Sequence, residues 1–202
     1  MSIRAVIFDF GGVLVRTENR APRTQLAARL GMTYDELSGL VFDSPSALQA
    51  TKGEITTAEH WERIRESLGI SPAEFASVPA DFWSGDVLDE TLITYLRDLR
   101  SQYKTALLSN AWDDLRPALE QTWQIDDAFD HILISSEVGL VKPDVRIYEK
   151  LLTMLGVKPA EAVFVDDFPQ NIEGARRVGL TTIQFHEKSQ VLGELQILLG
   201  GK

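Results

Sequence analysis

The sequence predicts an α/β fold: a Rossmann-like, doubly wound parallel sheet with an all-helical cap inserted after the first strand. Three observations lead there. Short apolar runs recur along the chain, and a buried parallel strand has that appearance because both of its faces are covered. From residue 86 onward these runs alternate with helical stripes over short connections, which is the pattern of successive βαβ units. The first run is cut off from the others by residues 16–84, where helix signals abound and no strong strand signal occurs.

The first strand is Ala5-Val6-Ile7-Phe8, ending at Asp9, with Gly11-Gly12 close behind to turn the backbone. Within residues 16–84, three segments fit the capping box that opens a helix: Thr33-Tyr34-Asp35-Glu36, Thr56-Thr57-Ala58-Glu59 and Ser71-Pro72-Ala73-Glu74. Trp61, Ile64, Arg65 and Leu68 share one helical face, and Gly69 is a fitting stop. A helix through Leu88, Leu92, Leu96 and Leu99 leads to a strand at Thr105–Leu108, and one near Asp113–Thr122 leads to Ile132–Ile134. The stripe Tyr148, Leu151, Leu152, Leu155 ends at Gly156 before the strand Ala162–Val165. A helix over 171–178 stops at Gly179 before Thr182–Phe185, and Ser189–Leu199 reads as a terminal helix. The expected division is a core of residues 1–15 and 85–202 and a cap of residues 16–84.

The chain has 202 residues, 44% hydrophobic and 25% charged, as in an ordinary globular protein with a sizeable core. Its net charge of −10 and lack of any Lys/Arg run argue against a nucleic-acid partner. With no cysteine, disulfides, thiolate metal sites and a cysteine nucleophile are excluded. No stretch approaches the roughly 18 apolar residues that span a bilayer, and no signal-peptide pattern opens the chain. A cytoplasmic protein without membrane contact is expected, as a monomer or homodimer.

Polar residues recur where the apolar runs stop: Asp9, then Ser109-Asn110, then Lys142-Pro143-Asp144, then Asp166-Asp167. In a parallel sheet all these ends lie on one edge, where open α/β sheets bind ligands. Three carboxylates gathered there repel one another and call for a cation. Only oxygen ligands are on offer, which suits Mg2+ bound through carboxylates and a phosphate. Asp9 is placed to attack phosphorus, Lys142 to neutralise charge, and the Ser109 hydroxyl to bind a phosphoryl oxygen.

Phe8-Asp9-Phe10-Gly11-Gly12-Val13-Leu14, Leu108-Ser109-Asn110-Ala111, Val141-Lys142-Pro143-Asp144 and Phe164-Val165-Asp166-Asp167 together resemble the four motifs of the haloacid dehalogenase-like hydrolase superfamily, in order and across the whole chain. The helical insert resembles the C1-type cap of its subfamily I. The flavour is that of the sugar-phosphatases and of the N-terminal phosphatase domain of soluble epoxide hydrolase. The resemblance implies a Mg2+-dependent phosphohydrolase working through an aspartyl-phosphate on a small phosphorylated metabolite such as a sugar phosphate. It implies Asp9 as nucleophile and metal ligand, the Gly11 carbonyl as a second ligand, and Asp167 as the acidic ligand, with Asp166 beside it as a further metal ligand or a partner behind the ligands. Ser109 and Asn110, with the Gly11-Gly12 loop, would bind phosphate, Lys142 would neutralise charge, and Asn171 would orient the Asp166-Asp167 loop.

Position 11 departs from that pattern. Family phosphatases commonly carry an aspartate there to protonate the leaving alkoxide, and glycine has no side chain to do so. Either the leaving group is good enough unaided, or another group substitutes (Glu18 and His60 are candidates), or catalysis is weak. Two other readings share the motifs: a metal-free 2-haloacid dehalogenase, which Asp166-Asp167 argue against, and a catalytically quiet binding module. His60, His131 and His186 are scattered and suit no metal site. Asp144 reads as a helix cap, Asp113-Asp114 as another, and Asp126-Asp127 as a solvated loop. Trp61, Phe82 and Trp83 read as core of the cap.

Overall fold

The computed structural model describes residues 2–200. Five strands form one wholly parallel sheet: β1 (Ala5–Phe8), β4 (Lys104–Ser109), β5 (His131–Ile134), β6 (Ala162–Asp166) and β7 (Thr181–Gln184), in the order β5-β4-β1-β6-β7. The chain builds outward from β1 to one side and then crosses to the other. Its reversal point therefore lies at the carboxyl end of β1, the position that favours a ligand crevice.

Period-two alternation sends side chains to both faces. Val6, Phe8, Leu107, Val163 and Val165 pack with Leu92, Ile93 and Leu96 of α7 (Glu90–Leu99) and with Val191 and Leu195 of α12 (Lys188–Leu198). Ala5, Ile7, Ala106, Leu108 and Phe164 pack on the opposite face with Tyr148, Leu151 and Leu155 of α10 (Val145–Leu155) and with Ile172 and Ala175 of α11 (Pro169–Val178). All four residues of β1 are buried, as a doubly covered central strand requires.

Between the first strand and the rest lies a helical layer: α1 (Ala21–Arg29), α2 (Tyr34–Phe42), α3 (Pro45–Thr51), α4 (Thr57–Leu68), α5 (Pro72–Phe75) and α6 (Val78–Trp83). Thr33, Ser71 and Thr56 each close a full capping box, and Gly69 ends α4 in the left-handed region at φ 66°. Trp61 and Phe82 are buried in this layer's own core.

Two differences from the sequence expectation stand at its borders. The chain leaves and re-enters the core through an antiparallel ribbon, β2 (Val15–Thr17) with β3 (Asp86–Leu88). Three-residue strands are too short to show alternation, so this pairing leaves no sequence signal. Leu88 consequently belongs to β3, although its spacing to Leu92 resembles a helical stripe. The helix begins after Asp89, whose carboxylate accepts from Thr91 N and Leu92 N at 3.1 Å. Arg16 (2.8 Å) and Lys188 (3.2 Å) also hold Asp89, tying the ribbon to the core.

The second difference is on the loop after β4. Asp113 does not cap its own helix. Its Oδ1 accepts from Thr57 N at 2.8 Å and from Thr57 Oγ1 at 2.5 Å, closing the first turn of α4 instead. The expected helix near 113–122 is one short turn, α8 (Leu115–Pro117), followed by a π-helical turn over Ala118–Thr122. Trp112 leaves the core to enter the helical layer, where its ring meets Phe42, Trp61 and Trp83 at centroid distances of 6.5, 6.1 and 6.1 Å. His60 lies 4.6 Å from it edge-on. His60 is fully buried, with Nδ1 on Ser46 Oγ (2.8 Å) and Nε2 on Val41 O (3.0 Å). No helix among the described residues is long and apolar enough to cross a membrane.

Trp112→Ala is expected to cost about 3–5 kcal/mol in urea unfolding, the usual range for truncating a buried aromatic. Burial holds the His60 imidazole below its ordinary value of 6.5. A base depressed in this way stabilises the fold fully above its unfolded pKa, and that contribution is lost as pH falls below it. The melting temperature should therefore fall more steeply between about pH 7 and pH 5 in the wild type than in His60→Gln.

Candidate active site

Asp9 follows β1 directly. Its backbone N–H donates to Val165 O at 2.9 Å, so the pairing with β6 continues one residue beyond the strand and fixes where the carboxylate starts. Phe10 O then accepts from Leu14 N (2.8 Å) and Val15 N (2.9 Å), folding the chain sharply back. Gly12 sits in this turn at φ 85°. A Cβ there would lie 2.3 Å from Asp167 Oδ2, so another residue would both strain the backbone and push that carboxylate aside.

Lys142 joins the strand ends. Its Nζ donates to Asp9 Oδ1 and to Asp166 Oδ2, both at 2.7 Å, and the residue is 3% exposed. Asn110 fixes its backbone from both sides: Nδ2 donates to Lys142 O at 3.0 Å, and Lys142 N donates to Oδ1 at 2.8 Å. The side chain of Asn110 is thus engaged by the lysine's backbone. Ser109, at the end of β4 beside β1, is nearly buried, and its hydroxyl makes no hydrogen bond to the described residues.

Asp166 is fully buried. Asn171 Nδ2 donates to both of its oxygens at 3.0 Å, and Phe168 N donates to Oδ1 at 2.8 Å. Tyr148 Oη in turn donates to Asn171 O at 2.8 Å. Asp167 is different: its Oδ1 is buried without a partner among the described residues. One carboxylate oxygen from each of Asp9, Asp166 and Asp167 falls within 4.8 Å of the others.

Electrostatics follow from this crowding. Burial pushes the Asp9 carboxyl up to about 7, against the pull of Lys142. Burial, then the neighbouring Asp166, raises Asp167. Burial opposes the charge on Lys142, yet the Asp9 and Asp166 carboxylates outweigh it and raise the lysine above its ordinary range. Three acids against one ammonium leave an excess of negative charge in a poorly solvated place. An all-oxygen donor set with one orphaned carboxylate oxygen fits a small hard cation.

Asp9, Ser109, Asn110, Lys142, Asp166 and Asp167 therefore converge on the carboxyl rim of the sheet, and Gly11 is exposed at the same rim. The substitute acids named for position 11 have other partners. Glu18 pairs with Arg16 at 3.1 Å, and both ring nitrogens of His60 are engaged inside the helical layer. Asp144 caps α10 by accepting from Arg146 N at 3.0 Å. Asp126 and Asp127 are exposed, as a solvated loop requires, with Asp127 paired to Arg97 at 2.7 Å. Sequence reasoning passed over Ser135, which is fully buried: its Oγ donates to Ala111 O at 3.2 Å and accepts from Ala111 N at 3.0 Å, holding the Ser109-Asn110 loop. A serine following an apolar strand carries no signal of that role. It also passed over Trp112, whose only signal is a large aromatic inside an otherwise polar loop.

Residues 3–179 match the family model described as haloacid dehalogenase-like hydrolase. The chain is similar to bifunctional epoxide hydrolase 2 of Mus musculus, 28% identical over 218 residues, covering 99% of this chain and 39% of that protein. It thus spans about two-fifths of the length of that relative. It is similar along nearly its full length to a sesquiterpene phosphatase of Aspergillus oryzae, 28% identical over 204 residues and 98% of each chain. Among solved structures, it resembles a family enzyme of Bacteroides thetaiotaomicron in complex with magnesium and inorganic phosphate, with a TM-score of 0.79, 26% identity and coverage of 95% of this chain and 99% of that one. A match over most of the length, a shared sheet and the four strand-end segments lead to one conclusion: the chain belongs to the haloacid dehalogenase-like hydrolase family.

Proposed function

We propose that this hydrolase is a Mg2+-dependent phosphohydrolase acting on a small phosphorylated metabolite. The observation that carries the reading is the convergence of Asp9, Lys142, Asp166 and Asp167 on one rim, with Asp167 Oδ1 left without a partner. The relatives named as phosphatases, and the similar structure holding magnesium and phosphate, support it. Residues 1–15 with 85–202 would form the core, and residues 16–84 the cap that excludes water from the rim.

In this reading Asp9 and Asp167 would hold Mg2+ together with the Gly11 carbonyl, with Asp166 behind them as the second anchor of Lys142. When bound, the ion would supply positive charge that screens the carboxylates and the phosphoryl oxygens. Asp9 is the nucleophile. Its carboxylate oxygen forms a bond to phosphorus as the bond from phosphorus to the leaving oxygen breaks. Lys142 balances charge on Asp9 and on the phosphoryl group, and Ser109 Oγ and the backbone amides of the Gly11-Gly12 and Asn110 segments donate to its oxygens. Water then attacks the aspartyl-phosphate at phosphorus, releasing inorganic phosphate and restoring Asp9. The buried acids count against the haloacid reading, since attack on carbon needs no cation to offset them.

Asp9→Asn should lower phosphate release from an aryl phosphate by about 10³-fold or more. Undiminished turnover in that variant, or halide release from a 2-haloacid in the presence of EDTA, would displace the assignment. Mg2+ at about 100 times its dissociation constant should stabilise the metal-free protein by roughly 2.7 kcal/mol in thermal unfolding, and Asp167→Asn should abolish most of that shift. Gly12→Ala should destabilise the fold by about 1–3 kcal/mol and weaken the Mg2+ response in the same melts, because the added carbon displaces Asp167.

A further inference from the structure

We propose that the site acts on phosphate groups whose leaving oxygen departs without taking up a proton, as in an acyl, enol, aryl or anomeric phosphate, in preference to phosphates of simple alcohols. The inference rests on the phosphohydrolase reading above and narrows its substrate class.

Nothing in the fold requires glycine at position 11. Its φ is outside the left-handed region that Gly12 occupies, the residue is exposed, and a Cβ would meet nothing within 4 Å. A longer side chain would fit, two residues beyond the nucleophile and on the same turn. The space is open instead.

The neighbouring groups do not fill the gap. Lys142 Nζ is spent on two carboxylates at 2.7 Å each. Asp166 has no exposure and is held by Lys142, Asn171 and the Phe168 amide. Asp167 is committed to the cation in the reading above. The Tyr148 hydroxyl gives its hydrogen to Asn171 O, and Glu18 and His60 are engaged elsewhere. Among the described residues, none of these side chains holds an acidic proton free for a leaving group.

The chemistry follows. When Asp9 displaces the leaving oxygen, that oxygen keeps the bonding electron pair. In phosphoryl transfer through a loose transition state, much of that negative charge has already developed at the barrier. A carboxylate, enolate or phenolate carries it readily, and a simple alkoxide does so only if protonated. Water later restores Asp9 and delivers its proton to solvent, so the cycle balances without a protein acid in the first step.

The test is a shape-matched series with the Mg2+-loaded enzyme: ring-substituted phenyl phosphates, from 4-nitrophenyl to phenyl, together with benzyl phosphate and acetyl phosphate. A missing general acid is typically worth about 10²–10⁴-fold. The value of kcat/KM is therefore expected to drop by at least about 10² from 4-nitrophenyl to benzyl phosphate. Fluorescence titration of Asp9→Asn should show the two esters binding alike, which places the gap in the chemical step. Gly11→Asp should narrow the gap by raising benzyl phosphate turnover; if that variant fails to fold, the wild-type series decides alone. Benzyl and 4-nitrophenyl phosphate turned over at similar kcat/KM would overturn the inference while leaving the phosphohydrolase reading intact. So would a binding difference as large as the kinetic one. Absence of Mg2+-dependent release from every member, acetyl phosphate included, would remove both.

Discussion

Like charges held close together in a place that water hardly reaches set the terms for this molecule. Asp9, Asp166 and Asp167 share a few ångströms at the rim of the sheet, and Lys142 is the cation between two of them. Repulsion of this kind weakens steeply in water and strengthens when water is excluded. A fold that keeps such a cluster must hold every member firmly, because each carboxylate would gain by moving away. Removing the lysine would leave buried charge uncompensated, which is far more costly than never having built the pair.

Much of the surrounding structure answers that need. Asn110 grips the backbone on both sides of the lysine, and Asn171 bridges both oxygens of Asp166 while Tyr148 holds Asn171 from below. α11 comes close enough that a Cβ on Gly174 would lie 2.8 Å from Pro143 O, so the lysine loop is pressed into place by backbone against backbone. These contacts come from three separate stretches of chain. The site is rigid because no stretch can relax without breaking a bond to another, which is the preorganisation that electrostatic catalysis depends on.

The sheet was readable in the sequence because each core strand is a run of side chains that are buried on both faces, and such runs stand out against amphipathic helices. The polar residues gathered at the rim were readable for a related reason: Asp9, Ser109, Lys142 and Asp166-Asp167 interrupt or follow apolar runs, and a parallel sheet sends all those interruptions to one edge. The three capping boxes were local patterns and appeared where expected. What stayed hidden was long-range. Asp113 looks like a cap for the helix beside it, and only the folded chain shows that it closes the first turn of α4, more than fifty residues earlier. The β2–β3 ribbon joins two segments that are each three residues long, and pairing between them has no local trace. That the Asn110 side chain grips the backbone of Lys142 is likewise visible only once the fold brings the two loops together.

Trp112 and Asp113 carry a mechanical consequence. The helical layer is joined to the sheet domain by the β2–β3 ribbon on one side, and on another by an indole sunk into its aromatic interior and a carboxylate seated on α4. A helical layer held at both attachments has little freedom to swing as a rigid body, because moving it would pull on the ribbon and on the loop after β4 together.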